Sequence, residues 1–204
     1  MRISPYISAG RDIFKHWIFI NLLPQSTNGF GEWNLTGTAA WSVGDGILRV
    51  ATGAGINSEI DIGKTFLGPP LFTWDKERRV NFWVEVSEIT SQEIIIVSGS
   101  QEDDQYVGFR IIDNALWGIC KQIGIAEEAV FLQNIIAGSY CFSFVLTANT
   151  RVQFFVDGVY ANELTASIPT GLADSNNPLE LYITNTEAAN KEIALFMLEF
   201  LQKK

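Results

Sequence analysis

The sequence has 204 residues, of which 47% are hydrophobic, and it carries a net charge of −9 at pH 7. This length and apolar content suit one large domain with a sizeable core. The acidic balance argues against binding to nucleic acid or to anionic membranes, because both partners attract a basic patch. The sequence also lacks the run of about 20 apolar residues that would predict a membrane-spanning helix.

The first twenty residues differ in character from the rest of the chain, since they mix basic residues with bulky apolar ones. The apolar run at 17–23 lacks the cleavage pattern of a signal peptide, so we expect a chain made in the cytoplasm. We predict that residues 1–20 form an attachment or oligomerisation arm, because bulky apolar side chains favour an interface. The residues expected to make these assembly contacts are Tyr6, Phe14, Trp17 and Phe19. The alternative is that this segment packs on its own domain as an added strand or short helix.

From residue 21 onward, apolar and polar residues alternate with the period of two that predicts β-strands. Three dipeptides, Asp45-Gly46, Asp113-Asn114 and Asp157-Gly158, predict two-residue hairpin turns. We interpret the apolar segment at 192–201 as a strand, while a terminal helix stays open. Residues 21–204 are therefore predicted to form an all-β domain, an antiparallel two-sheet β-sandwich (jelly roll) behind the N-terminal extension.

The sequence carries no strong catalytic or metal-binding pattern. The single histidine, His16, lies in the extension, which leaves none in the sandwich for a catalytic triad or a metal cluster. The acidic run at 101–105 lacks the spacing of calcium ligands and predicts a solvated hairpin loop. Cys120 and Cys141 lie in predicted strands and are expected to be buried free thiols. We therefore predict a protein that is not an enzyme and has no cofactor or bound metal.

Four side chains form a candidate carbohydrate-binding surface: Trp83, Tyr106, Arg110 and Trp117. Trp83 alternates with the Val and Phe residues of its strand, Tyr106 and Arg110 share one face of a later strand, and Trp117 follows on the next hairpin arm. A sugar ring has an apolar face and a polar rim, so aromatic rings beside hydrogen-bonding groups suit it. If these strands are neighbours, we expect the four residues to line one concave face. The alternative is that they cover the sheet or contact a partner subunit.

The segment at 21–50, "NLLPQSTNGFGEWNLTGTAAWSVGDGILRV", resembles the start of jelly-roll carbohydrate-binding modules and of related modules in tailed-phage tail and fibre proteins. The phrase at 21–24, Phe30, Trp33 and the strand at 46–50 carry this resemblance. The second half, including "VDG" at 156–158, resembles concanavalin A-like and laminin G-like sandwiches. Gly31 stands where the related modules usually have an acidic residue, so calcium binding is left open.

The resemblance implies a structural protein of a tailed-phage virion, such as a decoration, fibre or tail-associated protein. Its expected location is the virion, after synthesis in the host cytoplasm. Its expected partners are other virion proteins and further copies of itself, with a cell-surface glycan as an additional ligand. The alternative is a stand-alone carbohydrate-binding module. Both functions are compatible with the same fold, since fold and function are only loosely linked.

The segment at 58–64, "SEIDIGK", is similar to the Glu-x-Asp-x-Glu strand of concanavalin A-like glycoside hydrolases. A retaining mechanism needs two carboxyl groups about 5–5.5 Å apart, one of them acting as acid and base. Glu59 and Asp61 are present, but Gly63 occupies the third position and supplies no carboxylate. A glycoside hydrolase is therefore the least favoured alternative, and we interpret this segment as an edge strand with solvated acidic residues.

Overall fold

The computed structural model describes residues 17–22, 33–37, 40–44, 47–57, 59–64, 73–101, 104–171 and 179–203. The described residues form fifteen strands: β1 (Trp17–Leu22), β2 (Trp33–Gly37), β3 (Ala40–Gly44), β4 (Ile47–Ala51), β5 (Glu59–Lys64), β6 (Arg78–Val86), β7 (Gln92–Ser100), β8 (Gln105–Ile112), β9 (Ala115–Lys121), β10 (Glu128–Asn134), β11 (Gly138–Thr147), β12 (Arg151–Val156), β13 (Val159–Leu164), β14 (Leu179–Asn185) and β15 (Glu192–Lys203).

These strands make two antiparallel sheets, which confirms the predicted all-β sandwich. Sheet 1 has eight strands in the order β13-β12-β11-β6-β15-β4-β3, with β1 also paired to β15. Sheet 2 has seven strands in the order β10-β9-β8-β7-β14-β5-β2. The terminal segment is the strand β15, as interpreted from the sequence, and it occupies a central position beside β6.

Two interpretations of individual segments change. Strand β5 pairs with β14 on one side and with β2 on the other, so its interpretation as an edge strand was wrong. The predicted boundary after residue 20 falls inside β1, which pairs with β15 from Trp17 opposite Lys203 to Leu22 opposite Leu198. Residues 17–22 thus form the added strand that was the alternative to a free arm. Residues 1–16, including Tyr6 and Phe14, lie outside the described residues.

The core lies between the sheets and is rich in phenylalanine. Phe109 of sheet 2 contacts three rings of sheet 1, with centroid distances of 5.3 Å to Phe142, 5.5 Å to Phe154 and 6.2 Å to Phe82. All four side chains are fully buried. Aromatic pairs at such distances add to the stabilisation that comes from the buried apolar area. The inward faces of β6, β8, β11 and β12 are therefore fixed, and the alternate residues of these strands point away from the core.

Two of the predicted hairpins are confirmed, and their turns make the same pair of hydrogen bonds. Asp113 lies between β8 and β9, and Asp157 lies between β12 and β13, both with a φ of 51°. The Asp157 backbone N–H donates to the Cys141 carbonyl oxygen at 2.9 Å, and its carboxylate accepts from the Cys141 N–H at 2.8 Å. Asp113 makes the same two contacts with Gln92, at 3.0 and 3.4 Å. Each aspartate thus joins its turn to the next strand of the sheet. The hairpin at Asp45-Gly46 is supported by the pairing of β3 with β4.

Candidate functional site

Three of the four predicted glycan-binding residues come together on sheet 2. Tyr106 and Arg110 lie on β8, and Trp117 lies opposite Arg110 on β9. Their neighbours Val107 and Phe109 belong to the main core, so these three side chains lie on the outward face of the sheet. Tyr106 is itself buried, at 7% exposure, in a small apolar cluster with Ile95, Val97 and Ile119 that is separate from the main core. Trp117 and Tyr182 pack against this cluster.

Trp83 is not part of this surface. It lies on β6 of sheet 1, between Cys141 of β11 and Met197 of β15, and its side chain is 37% exposed. Because Phe82 and Val84 point into the core, Trp83 points away from it, on the opposite side of the sandwich from Tyr106. The prediction that all four residues line one face was therefore wrong. Alternation identifies the face of a strand, but it carries no information about which sheet the strand joins.

Glu127, which precedes β10, connects the polar side chains of the sheet 2 surface. Its carboxylate accepts from the Tyr106 hydroxyl at 2.5 Å. The same carboxylate accepts two hydrogen bonds from the Arg110 guanidinium, at 2.5 Å from Nη1 and 3.1 Å from Nη2. A bidentate pair of this kind fixes the orientation of both groups. The surface therefore presents a preorganised guanidinium rather than a freely rotating one.

A second carboxylate flanks the same guanidinium. Arg110 Nε lies 3.1 Å from Oε1 of Glu93, on β7. The angle at this contact does not meet hydrogen-bond geometry, so it is an ion pair without a directed hydrogen bond. Arg110 retains 24% of its side-chain exposure, Glu93 34% and Glu127 19%. The charged groups are thus partly desolvated but still reachable from solvent.

The protonation of Tyr106 follows from this environment. Burial raises the pKa of its hydroxyl above the usual value, and the hydrogen bond and negative charge of Glu127 raise it further. The hydroxyl is therefore protonated at neutral pH and acts as a hydrogen-bond donor. This agrees with its position opposite a carboxylate that already accepts from Arg110.

An aromatic ledge, formed by Trp117 and Phe131, borders the charged groups. Phe131 of β10 pairs with Trp117 of β9 in the strand register, and the two rings meet edge to face with centroids 5.4 Å apart. Phe131 is 44% exposed, whereas Trp117 is partly buried. This face therefore combines exposed aromatic surface with fixed polar groups.

Gly108 lies between Tyr106 and Arg110 on the same outward face of β8. A β carbon at this position would stand 2.1 Å from the Ile96 carbonyl oxygen and 2.7 Å from the Val97 α carbon. Any side chain would force β8 away from β7 in the middle of the surface. The close approach of these two strands therefore requires glycine here.

Sequence reasoning missed Glu93, Glu127 and Phe131. A weak signal existed for Glu93, because it alternates with Ile95 and Val97 on the outward face of β7. Glu127 precedes its strand, where no periodicity applies, and it reaches β8 only because β9 and β10 fold beside it. Its role could be identified only in the folded chain.

Two of the predicted assembly residues, Trp17 and Phe19, lie in β1, where their backbone partners are Lys203 and Leu201. Their part in assembly stays a prediction, as does that of Tyr6 and Phe14.

The described part of the chain contains no group of three metal-ligating side chains and no helix long and apolar enough to cross a membrane. Cys120 is a buried free thiol, as expected, and Cys141 is half-buried. Burial raises the pKa of the Cys120 thiol to about 12, so it stays protonated and is a poor nucleophile.

Comparison with known proteins identifies the class of fold as a β-sandwich that also occurs in toxin binding domains. The chain is similar to a protein of unknown function from Shewanella oneidensis MR-1, with a TM-score of 0.63 and 15% identity over 92% of this chain and 86% of that one. It is also similar to botulinum neurotoxin type C, with a TM-score of 0.65 and 12% identity over 93% of this chain and 48% of that chain.

A third similar structure is the binding domain of botulinum neurotoxin DC in complex with rat synaptotagmin II, with a TM-score of 0.62 and 13% identity over 92% of this chain and 48% of that chain. The chain thus spans about half the length of both toxin chains. At these identities the likeness establishes a shared fold. No protein-family model and no curated protein sequence matches the chain.

Proposed function

We propose that this protein is a carbohydrate-binding β-sandwich that binds a saccharide on the outward face of sheet 2. The observation that carries the proposal is the aromatic ledge beside the hydrogen-bonded network of Arg110, Glu127 and Tyr106. The proposed contacts are stacking of a sugar ring on the ledge and hydrogen bonds from its hydroxyl groups to the charged side chains.

The chemistry of this face matches the two sides of a sugar ring. The ring C–H groups form an apolar face, which suits the exposed ring of Phe131 and the neighbouring indole of Trp117. The hydroxyl groups form a polar rim, which suits carboxylates that accept and a guanidinium that donates. Because Glu127 already holds Arg110 in place, less side-chain entropy is lost on binding.

The comparisons support binding over virion assembly. Cell entry of botulinum neurotoxin type C depends on interaction with two ganglioside molecules. The binding domain of botulinum neurotoxin DC has been solved in complex with SialylT. This chain spans 48% and 44% of those two chains, so their ligand contacts are not assigned to the shared half. The similar structures with a known role are botulinum neurotoxins, whereas the protein from Shewanella oneidensis MR-1 is of unknown function. Attachment to a virion through the first twenty residues stays a prediction from the sequence.

A glycan array tests the proposal with a matched pair of tryptophan variants. Trp117→Ala removes one of the two rings of the ledge on sheet 2, and Trp83→Ala removes a more exposed tryptophan from the outward face of sheet 1. We expect Trp117→Ala to weaken binding about tenfold or more, as loss of a central aromatic contact does, and Trp83→Ala to leave it unchanged. Thermal unfolding of both variants verifies that they are folded.

Two results would contradict the proposal. Binding that is lost in Trp83→Ala but kept in Trp117→Ala would move the site to sheet 1. The absence of binding by the wild-type chain to any glycan on a broad array would reject the carbohydrate-binding function.

A further inference from the structure

The charged side chains around the proposed saccharide site already form ion pairs with one another, and the acidic side chains outnumber the basic ones by one. Arg110 contacts Glu93 and Glu127, and Lys121 contacts Asp104 at 3.2 Å. Two positive side chains therefore face three negative ones, which leaves this network with a net charge of −1. The whole chain is acidic as well, with a net charge of −9.

This arrangement decides what Arg110 can offer to a ligand. Both of its Nη atoms donate to Glu127, and its Nε lies against Glu93. An incoming carboxylate or sulfate would have to displace one of these carboxylates or bind beside them without a free counter-charge. Either route is unfavourable, because like charges at close range repel and a partly buried charge without a partner is destabilising.

Hydroxyl groups meet no such penalty. A neutral hydroxyl donates to a free lone pair of Glu93 or Glu127 and accepts from one of the two remaining Nη–H groups of the guanidinium. The carboxylates thus favour a neutral sugar and disfavour an anionic one at the same position, which is discrimination by a repulsive element.

We propose that this site selects neutral saccharides and rejects saccharides that carry a carboxylate or sulfate on the contacted residue. The inference rests on the proposed carbohydrate-binding function and specifies its ligand class. It predicts a different ligand class from the gangliosides on which cell entry of the structurally similar toxin depends.

Matched glycan pairs test this selectivity. Each pair consists of one neutral chain and the same chain with a terminal sialic acid, and binding is measured by titration for every core that the wild type recognises. We expect the neutral member to bind at least about tenfold more tightly at low salt. The ratio of the two dissociation constants, sialylated over neutral, should shrink as added salt screens the repulsion.

A conservative charge variant separates repulsion from shape. Glu93→Gln keeps the size of the side chain but removes one negative charge, and we expect it to narrow the ratio by improving binding of the sialylated member. Glu85→Gln removes an equal charge from an exposed position on the outward face of sheet 1 and is expected to leave the ratio unchanged.

The possible failures are distinguishable. If the sialylated member binds as tightly as the neutral one, or if Glu93→Gln and Glu85→Gln change the ratio equally, the charge-selection proposal is overturned while saccharide binding stands. If neither member of any pair binds, the saccharide site itself is rejected, and the selectivity proposal with it.

Discussion

Gly118 of β9 lies directly beneath the aromatic ring of Phe154 of β12. A β carbon at Gly118 would stand 2.6 Å from the ring, well inside van der Waals contact. The two residues belong to opposite sheets, so the missing side chain allows the sheets to approach at this point. The ring of Phe154 in turn contacts Phe109, which links this contact to the centre of the core.

Replacement of Gly118 by alanine is predicted to overpack the core. We expect Gly118→Ala to lower the free energy of unfolding by about 1–3 kcal/mol, measured by urea denaturation. In a Phe154→Leu background the added methyl group should be less destabilising, because the ring that it strikes is gone. Equal effects of the alanine in both backgrounds would show that this contact is not the cause.

Lys191 is predicted to stabilise one end of the sandwich through two carboxylates. Its Nζ lies 2.6 Å from both Glu88 and Glu187, and its side chain is only 1% exposed. Lys191→Met removes the cation that both carboxylates share, so we expect the Tm to fall by about 3–8 °C. The control is Lys203→Met, because Lys203 is 55% exposed and lies 3.6 Å from Glu77. A similar fall in both variants would contradict a special role for Lys191.

Tyr106 is predicted to make stability depend on alkaline pH. The folded chain raises the pKa of its hydroxyl, whereas the unfolded chain has the usual value near 10. Its stabilising contribution is therefore complete below pH 10 and is lost as the pH rises from there toward the folded pKa, because the unfolded state releases its proton first. Urea denaturation between pH 8 and pH 11 should show a steeper loss of stability for the wild type than for Tyr106→Phe. Parallel curves would contradict this assignment.

The contribution of Arg78 to stability is predicted to depend on the planar shape of its guanidinium. The guanidinium carbon lies 4.0 Å from the centre of the Trp74 ring and 4.9 Å from that of Phe200, in a fully buried position. Burial lowers the pKa of Arg78 to about 9, so the group is still charged at neutral pH. Lysine cannot stack in this way, and we expect Arg78→Lys to reduce the free energy of unfolding by about 2 kcal/mol.

The neighbouring arginine provides the control for that substitution. Arg79 lies on the same strand but alternates to the outward face, where Nε donates to Asn81 at 3.3 Å. Arg79→Lys is expected to change the free energy of unfolding by less than about 0.5 kcal/mol. If both substitutions lower the free energy of unfolding by the same amount, stacking of the Arg78 guanidinium is not the cause.

The local features of this chain were predictable because they depend on neighbours in sequence. Alternation identified β6 and the outward position of Trp83, and Asp-Gly or Asp-Asn pairs identified the turns after β8 and β12. A turn needs only two residues that tolerate a positive φ, and a half-buried strand needs only a period of two. Such requirements are written into a few consecutive residues.

The candidate site was predictable only in part for the opposite reason. Tyr106, Arg110 and Trp117 were found because β8 and β9 form one hairpin, so the surface they share is local. Trp83 was grouped with them wrongly because the chain crosses from sheet 1 to sheet 2 between β6 and β7. Glu127 was missed because it lies 17 positions from Arg110 in the sequence. The two residues meet only because β8, β9 and β10 lie side by side in sheet 2.

The sequence by itself therefore determined the all-β class, the two-residue hairpins and the strand faces on which Trp83, Tyr106 and Trp117 lie. Only the tertiary structure decided that β5 is an inner strand, that β15 lies beside β6, and that Glu127 orients Arg110. The physical reason is that strand order is set by hydrogen bonds and packing between distant segments. Those interactions bring carboxylate, guanidinium and aromatic groups to one surface without leaving a periodic pattern in the sequence.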